Sequence, residues 1–314
     1  MTTRYLIDPE LLVGLEMFPV TLVSAETLPM VRQQILEMGD AIPPHDPSLA
    51  KLVVHRVGDI EVRVFTPNGG EEDTLHPALL HLHGGGYVAG AARGQDAVHA
   101  SLAAELGCVI ASVDYRLAPE SPHPGPVEDA YAGLKWLYDE ARTLGVDRTR
   151  IAVGGESAGG GLAAALALLA RDRDEVPIVF QHLIYPMLDD RTGTLGEPHP
   201  SAGEFIWTPE FNRFGWASLL GHEPGLPTTS PYAAPARAVD LSRLPPAFIS
   251  VGALDLFIDE DIEYARRLIR AGVPTELHVF PGAFHGFDMV PTARTAAVAR
   301  NRSRAALRRA LHPR

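Results

Sequence analysis

Ser157 stands in Gly155-Glu156-Ser157-Ala158-Gly159, directly after the apolar run Arg150–Gly154 and directly before an alanine-rich run. A serine hydroxyl becomes a useful nucleophile when a base takes its proton and donors meet the oxyanion it creates. The Gly-x-Ser-x-Gly spacing suits that task. The serine must sit on a tight strand-to-helix turn that pushes Oγ out of the sheet. The residues two before and two after it must be small, because helix and strand approach closely there. The helix N-terminus adds partial positive charge where negative charge develops. For the pentapeptide alone, a glycine-rich turn with an incidental serine is the alternative reading.

The donors have their own candidate. His83-Gly84-Gly85-Gly86 follows the apolar run Ala78–Leu82, and consecutive glycines let backbone N–H groups face a ligand unobstructed. The amides of Gly84 and Gly85, with that of Ala158, are the expected oxyanion hole. The stretch Gly84–Ala89 also fits a dinucleotide fingerprint, Gly-x-Gly-x-x-Ala. There the acid Asp114 lies thirty residues on, beyond the usual ~20, and Ser157 stays unexplained. His81 and His83 form a His-x-His pair without a third and fourth ligand at recognisable spacing, so no metal is expected. His81 is expected to face the surroundings of its strand, and His83 to stiffen the glycine loop by hydrogen bonding.

The base and its orienting acid come later in the chain. His285 follows the run Glu276–Phe280, and Asp255 follows Ala247–Val251. The two strands are sequential, so their end loops should lie side by side. The imidazole would take the serine proton and return it to the leaving group, with the carboxylate fixing its tautomer. Asp259, Glu260, Asp261 and Asp288 compete for the acid's role. The first three open a helix, where caps and dipole partners are expected, and Asp288 follows the histidine.

These residues need a scaffold that gathers strand ends. Lys51–Val57 and Ile60–Phe65 alternate in polarity around Gly58-Asp59 and predict a hairpin. Strand and helix patterns then alternate. Strands are expected at Ala78–Leu82, Cys108–Val113, Arg150–Gly154, Ile178–Tyr185, Pro246–Val251 and Glu276–Phe280. Helices are expected at Asp96–Leu106, Glu128–Arg142, Ala158–Ala170, Asp259–Ala271 and Arg294–Leu311. This predicts a mostly parallel sheet with helices on both faces, whose ligands bind beyond the carboxyl ends of the strands. Residues 1–50 predict one or two short helices broken by prolines. The stretch Asp189–Arg243, rich in proline and aromatics, predicts a partly helical insertion. Arg294, Arg300, Arg302, Arg304, Arg308 and Arg309 on the last helix predict a solvated face, with a basic contact patch as the alternative.

Composition sets limits. The 314 residues are 46% hydrophobic and 21% charged, ordinary for a globular chain. The net charge of −12 argues against nucleic-acid binding. Cys108, the single cysteine, sits in an apolar run and reads as core. No signal pattern opens the chain, and the longest apolar stretch, Gly159 to Ala170, is too short to span a bilayer. No membrane anchor and a cytoplasmic location are therefore expected.

Together the motifs resemble the hormone-sensitive-lipase-like family of α/β-hydrolases, the bacterial family IV esterases. His83–Gly86 with Tyr87 looks like its oxyanion motif, and Tyr115-Arg-Leu-Ala-Pro-Glu120, followed by Glu128-Asp129, is similar to another family segment. Gly155–Gly160 looks like its elbow, Asp255–Glu260 like its acid motif and His285–Phe287 like its histidine motif. Glu156 stands where the family often has Asp, and Leu256 where it usually has Pro. The resemblance implies an α/β-hydrolase fold with about eight mostly parallel strands. It implies a lid from residues 1–45 and an insertion at about 189–225, within a catalytic domain of 46–314. It also implies cofactor-free hydrolysis of short- to medium-chain acyl esters by Ser157, His285 and Asp255, and a homodimer through the last strand.

Phe205 and Trp207 of the insertion, with Tyr87, Leu256 and Phe287 beside the motifs, are the expected substrate-lining residues; ordinary lid core is the alternative for the insertion aromatics. Tyr115, Arg116 and Glu120 are expected to tie a loop beneath the site. An amidase or lactonase would share this machinery. A ligand-binding protein on the same fold, as in plant gibberellin receptors, is a further alternative that the presence of His285 opposes.

Overall fold

Eight strands form one sheet in the order β1-β2-β4-β3-β5-β6-β7-β8 in a computed structural model that describes residues 3–17, 23–41, 44–69, 74–195, 197 and 199–313. The strands are β1 (Ala50–Val57), β2 (Ile60–Pro67), β3 (His76–Leu82), β4 (Val109–Asp114), β5 (Val146–Glu156), β6 (Phe180–Ile184), β7 (Ala247–Gly252) and β8 (Thr275–Phe280). β1 and β2 are the expected hairpin, closed at Val57↔Ile60 over Gly58 in the left-handed region. β2 meets β4 antiparallel; every pairing from β4 through β8 is parallel.

The helices are α1 (Gly14–Met17), α2 (Leu28–Asp40), α3 (Asp96–Leu106), α4 (Gly125–Asp139), α5 (Ala158–Arg173), α6 (Pro209–Leu220), α7 (Ile258–Arg270) and α8 (Arg294–Leu311). α3 and α8 keep the bounds their periodicity predicts. α4 begins three residues earlier than expected, because Pro126 is accommodated in its first turn, where no intrahelical N–H is required.

Alternation along the strands divides the core in two. Leu80, Leu82, Ala111, Val113, Val153 and Ile249 face α4, α5 and α7, whereas Leu79, Ile110, Ala152 and Phe248 face α3 and α8. α5 is buried on all sides from Ala158 to Ala170, which explains why its apolar run shows no polar face. No helix among the described residues is long and apolar enough to cross a membrane. Cys108 is a buried core residue whose thiol burial pushes up to about 12. Several arginines of α8 are engaged locally: Arg294 pairs with Glu10, Arg304 and Arg308 with Glu105, and Arg309 with Glu276. Such exposed pairs contribute little each, but they leave Arg294, Arg304, Arg308 and Arg309 locally paired rather than as free cations.

Chain order reverses between β3 and β5: β4 extends the sheet to one side, β6 to β8 to the other. The loops after β3 and β5 therefore open onto the same crevice. The loops after β7 and β8 lie side by side two strands further on, as their sequence adjacency predicts. Between β6 and β7 the chain leaves the sheet and carries α6; the expected insertion at 189–225 falls inside this segment.

Candidate active site

Ser157 lies between β5 and α5 at φ 57° and ψ −122°, a strained conformation for a residue with a side chain. Its backbone is pinned on three sides. Its N–H donates to the Ile184 carbonyl at 2.9 Å, and its carbonyl accepts from Met187 at 2.9 Å and Gly161 at 3.0 Å. Small neighbours are obligatory: a Cβ on Gly155 would lie 2.3 Å from the Leu82 carbonyl oxygen, and one on Gly159 only 2.0 Å from it.

His285 Nε2 is 2.9 Å from Ser157 Oγ, and His285 Nδ1 is 2.8 Å from Asp255 Oδ2. The other carboxylate oxygen of Asp255 accepts the Phe257 N–H at 3.0 Å. Asp255 is wholly buried, and Ser157 and His285 are each 7% exposed. Phe257 and Tyr185 stand edge-on to the imidazole, at 5.2 and 4.7 Å between ring centres. This relay can move a proton from Oγ to Nε2 while the carboxylate holds Nδ1–H.

Of the competing acids, Asp288 accepts the Tyr185 hydroxyl at 2.8 Å rather than the imidazole. Asp259, Glu260 and Asp261 fall in the first turn of α7, as the helix-opening reading expects, and the last two are buried there. Glu260 Oε1 accepts the Leu188 N–H at 2.6 Å and so anchors the start of the insertion. Asp261 is fully buried, and neither carboxylate oxygen finds a hydrogen-bond partner among the described residues. Burial, then the charges of Glu260 and Asp255, raise its pKa well above the ordinary value. An acid raised in the folded state opposes folding once pH exceeds its unfolded value near 4, and the penalty grows until the folded group ionises. Asp261→Asn therefore raises Tm at pH 8 by about 2–6 °C and by less at pH 5, measured by thermal melts. An unchanged or lower Tm at both pH values would mean that ionised Asp261 has a stabilising partner.

The loop after β3 sits directly against the serine. A Cβ on Gly84 would lie 3.0 Å from the Glu156 carbonyl oxygen and 3.5 Å from Ser157 Cβ. Gly85 has φ +118° and its carbonyl accepts from Val88 and Ala89, folding the loop back on itself. Among the described residues the amides of Gly84, Gly85 and Ala158 donate to no protein acceptor. Ala158 is the first residue of α5, where an unspent N–H is intrinsic to the helix. His83 Nδ1 is 2.8 Å from the Gly84 carbonyl oxygen, its ring stacks on Tyr115 at 4.2 Å, and the Tyr115 hydroxyl donates to the His83 carbonyl at 2.7 Å. The loop is thus stiffened as expected.

Arg116 and Glu120 do not join Tyr115. Arg116 pairs with Asp129, and Glu120 accepts Arg32 of α2, which also donates to the carbonyls of Val88 and Ala118. Arg32 holds the Glu120 carboxyl down at about 2 and ties the N-terminal segment to the loops beside the site. Nothing in the spacing of Arg32 announces this.

Glu156 and His81 form a pair that sequence reasoning missed. His81 Nε2 lies 3.0 Å from Glu156 Oε2, and Gln95 donates to the same oxygen at 3.2 Å. Burial pushes the Glu156 carboxyl up, but the charge and hydrogen bond of His81 and the bond from Gln95 outweigh it and hold it at about 2. The carboxylate thus joins the nucleophile turn to β3 and to the segment leading into α3.

The proposed lining residues divide. Trp207 packs over the glycine loop: a Cβ on Gly86 would lie 2.2 Å from its Cη2, and its ring centre is 6.3 Å from that of His285. Phe205 packs on Phe284 of the histidine loop at 6.3 Å. Leu256 lies against Gly203 of the insertion, whose N–H donates to the Leu254 carbonyl at 3.0 Å. Tyr87 and Phe287 are each 1% exposed; Tyr87 packs on Trp216, and Phe287 on Phe280. These two stand behind the crevice rather than in it.

A crossover-wound sheet with a serine relay at its strand ends defines a class, and the chain belongs to it: residues 79–289 match the α/β-hydrolase fold family. Two relatives from Mycobacterium tuberculosis align along nearly the whole chain. "Esterase LipI" is 36% identical over 98% of this chain and 96% of that protein, and "Carboxylesterase NlhH" is 37% identical over 98% and 97%. Among solved structures, "Bacterial Heroin Esterase" matches with a TM-score of 0.90 at 40% identity, covering 99% of this chain and 100% of that one.

Proposed function

We propose that the chain hydrolyses short- to medium-chain acyl esters through an acyl-enzyme on Ser157. It is a carboxylic ester hydrolase of the serine type, in keeping with full-length relatives that carry esterase names. The carrying observation is the unbroken Ser157–His285–Asp255 relay with unspent glycine-loop amides beside it. Ser157 Oγ attacks the carbonyl carbon as its proton passes to His285 Nε2. The oxyanion is met by the amides of Gly84, Gly85 and Ala158. The alcohol leaves with the proton from Nε2, and water, deprotonated by the same nitrogen, releases the acid.

Residues 1–45 and 189–225 serve as the lid over the catalytic domain, with 1–2, 18–22, 42–43, 196 and 198 lying outside the described residues. Trp207, Phe205 and Leu256 face the substrate, and Tyr87 and Phe287 support them from behind. The outer edge of β8 has no neighbouring strand among the described residues and is the surface offered to a second copy. With one buried cysteine and no disulfide to demand an oxidising compartment, we place the enzyme in the cytoplasm.

A fluorophosphonate should label the protein once per chain, on Ser157 by peptide mass spectrometry, and hydrolysis of p-nitrophenyl acetate should fall in step. Labelling elsewhere, or loss of activity without labelling, would overturn the assignment.

A further inference from the structure

Trp207 is held in place by more than packing. Its N–H donates to the Phe205 carbonyl two residues back at 2.7 Å, and the intervening Ile206 has φ +64°. This is a γ-turn of the positive-φ type, rare in proteins and worst for a β-branched residue. Strain of this kind persists only where surrounding contacts over-determine it. Those contacts are present. Trp207 Nε1 donates to Asn212 Oδ1 at 3.1 Å, and Asn212, fully buried on α6, donates from Nδ2 to the Thr192 carbonyl at 2.8 Å. Phe211 supports the indole edge-on at 6.0 Å, and Gly215 of α6 packs on the Gly86 carbonyl, where a Cβ would come within 2.8 Å. The indole is thereby fixed across the space from Gly86 to His285.

We infer that Trp207, locked by the turn at Ile206 and by Asn212, is the wall that limits the size of the ester substituent lying between Gly86 and His285. This rests on the esterase reading and adds the substrate class: esters small on that side. The reacting carbonyl must place its oxygen toward the glycine amides and its leaving oxygen toward His285 Nε2. A rigid indole spanning Gly86 and His285 therefore borders the reacting carbon. A long substituent on that side would have to displace the indole, and with it the Asn212 hydrogen bonds. Size discrimination in an apolar pocket is worth about 10–200-fold per misfit methylene at best, so the effect is measurable.

Two ester series test this with the full chain. One varies the acyl group from acetyl to octanoyl on p-nitrophenol; the other holds acetyl and lengthens the alcohol. The wild type should show a steep fall in kcat/KM with length in one series. Trp207→Ala should raise the hexanoyl-to-acetyl ratio, or its alcohol counterpart, by at least about tenfold, and Trp207→Phe by less. Ile206→Gly accepts the positive φ without strain and so keeps the turn, and its ratio should stay at the wild-type value. Ratios equal to wild type in both Trp207 variants, with ester hydrolysis still present, would overturn the wall and leave the esterase reading standing. Absence of ester hydrolysis in the wild type would overturn both.

Discussion

Ser157→Ala lowers kcat for ester hydrolysis by about 10⁶-fold. The size follows from the arrangement of the site. Among the described residues, Ser157 Oγ is the group hydrogen-bonded to the base, at 2.9 Å from His285 Nε2. Alanine removes that atom and little else. It carries the same Cβ into the same strained φ, and the backbone bonds to Ile184, Met187 and Gly161 remain. Tm should therefore stay within a degree or two of wild type, and KM should change far less than kcat. Rates near wild type would mean that another group attacks, and the relay would lose its nucleophile.

Asp255→Asn lowers kcat by about 10⁴-fold. The carboxylate does two things at once. Oδ2 holds the imidazole through Nδ1 at 2.8 Å, and Oδ1 accepts the Phe257 N–H at 3.0 Å. Asparagine can keep the second contact with its carbonyl oxygen, which turns its NH₂ toward Nδ1. An NH₂ there favours the tautomer with the proton on Nε2, so the base is blocked at the atom that faces Ser157. The protein should fold, because the buried position then carries no charge. A loss below about tenfold would pass the role to a neighbouring acid, although Asp288 is already engaged by Tyr185. Together the two variants separate the attacking group from the group that orients its base.

Much of the site was legible because its logic is local. Ser157 and the glycine loop announce themselves by small residues at strand ends, and the sterics at Gly155 and Gly159 show why no others fit there. Asp255 and His285 are legible through topology: sequential parallel strands are neighbours, so their loops meet. What escaped depends on the third dimension. Glu156 meets His81 across β5 and β3, and Arg32 meets carbonyls at Val88 and Ala118. No spacing encodes these pairs. The burial of Asp261 is illegible for a similar reason: an acid in the first turn of a helix ordinarily faces water, whereas the face of α7 on which it falls packs inward. The positive φ of Ile206 was invisible for the opposite reason: isoleucine is the last residue a local rule would put there.

The segment between β6 and β7 touches every loop that contributes to the chemistry. Gly215 and Trp207 rest on Gly86, Gly203 bonds the acid loop at Leu254, and Phe205 rests on Phe284 beside the base. Selectivity and mechanical integrity are therefore inherited together in this chain. A directed-evolution campaign that remodels the segment for a bulkier substrate also alters the buttress of the loops that carry the nucleophile's partners. Gains in substrate range should tend to arrive with losses in thermal tolerance, and the variants worth keeping will be those that repair the buttress while they widen the opening.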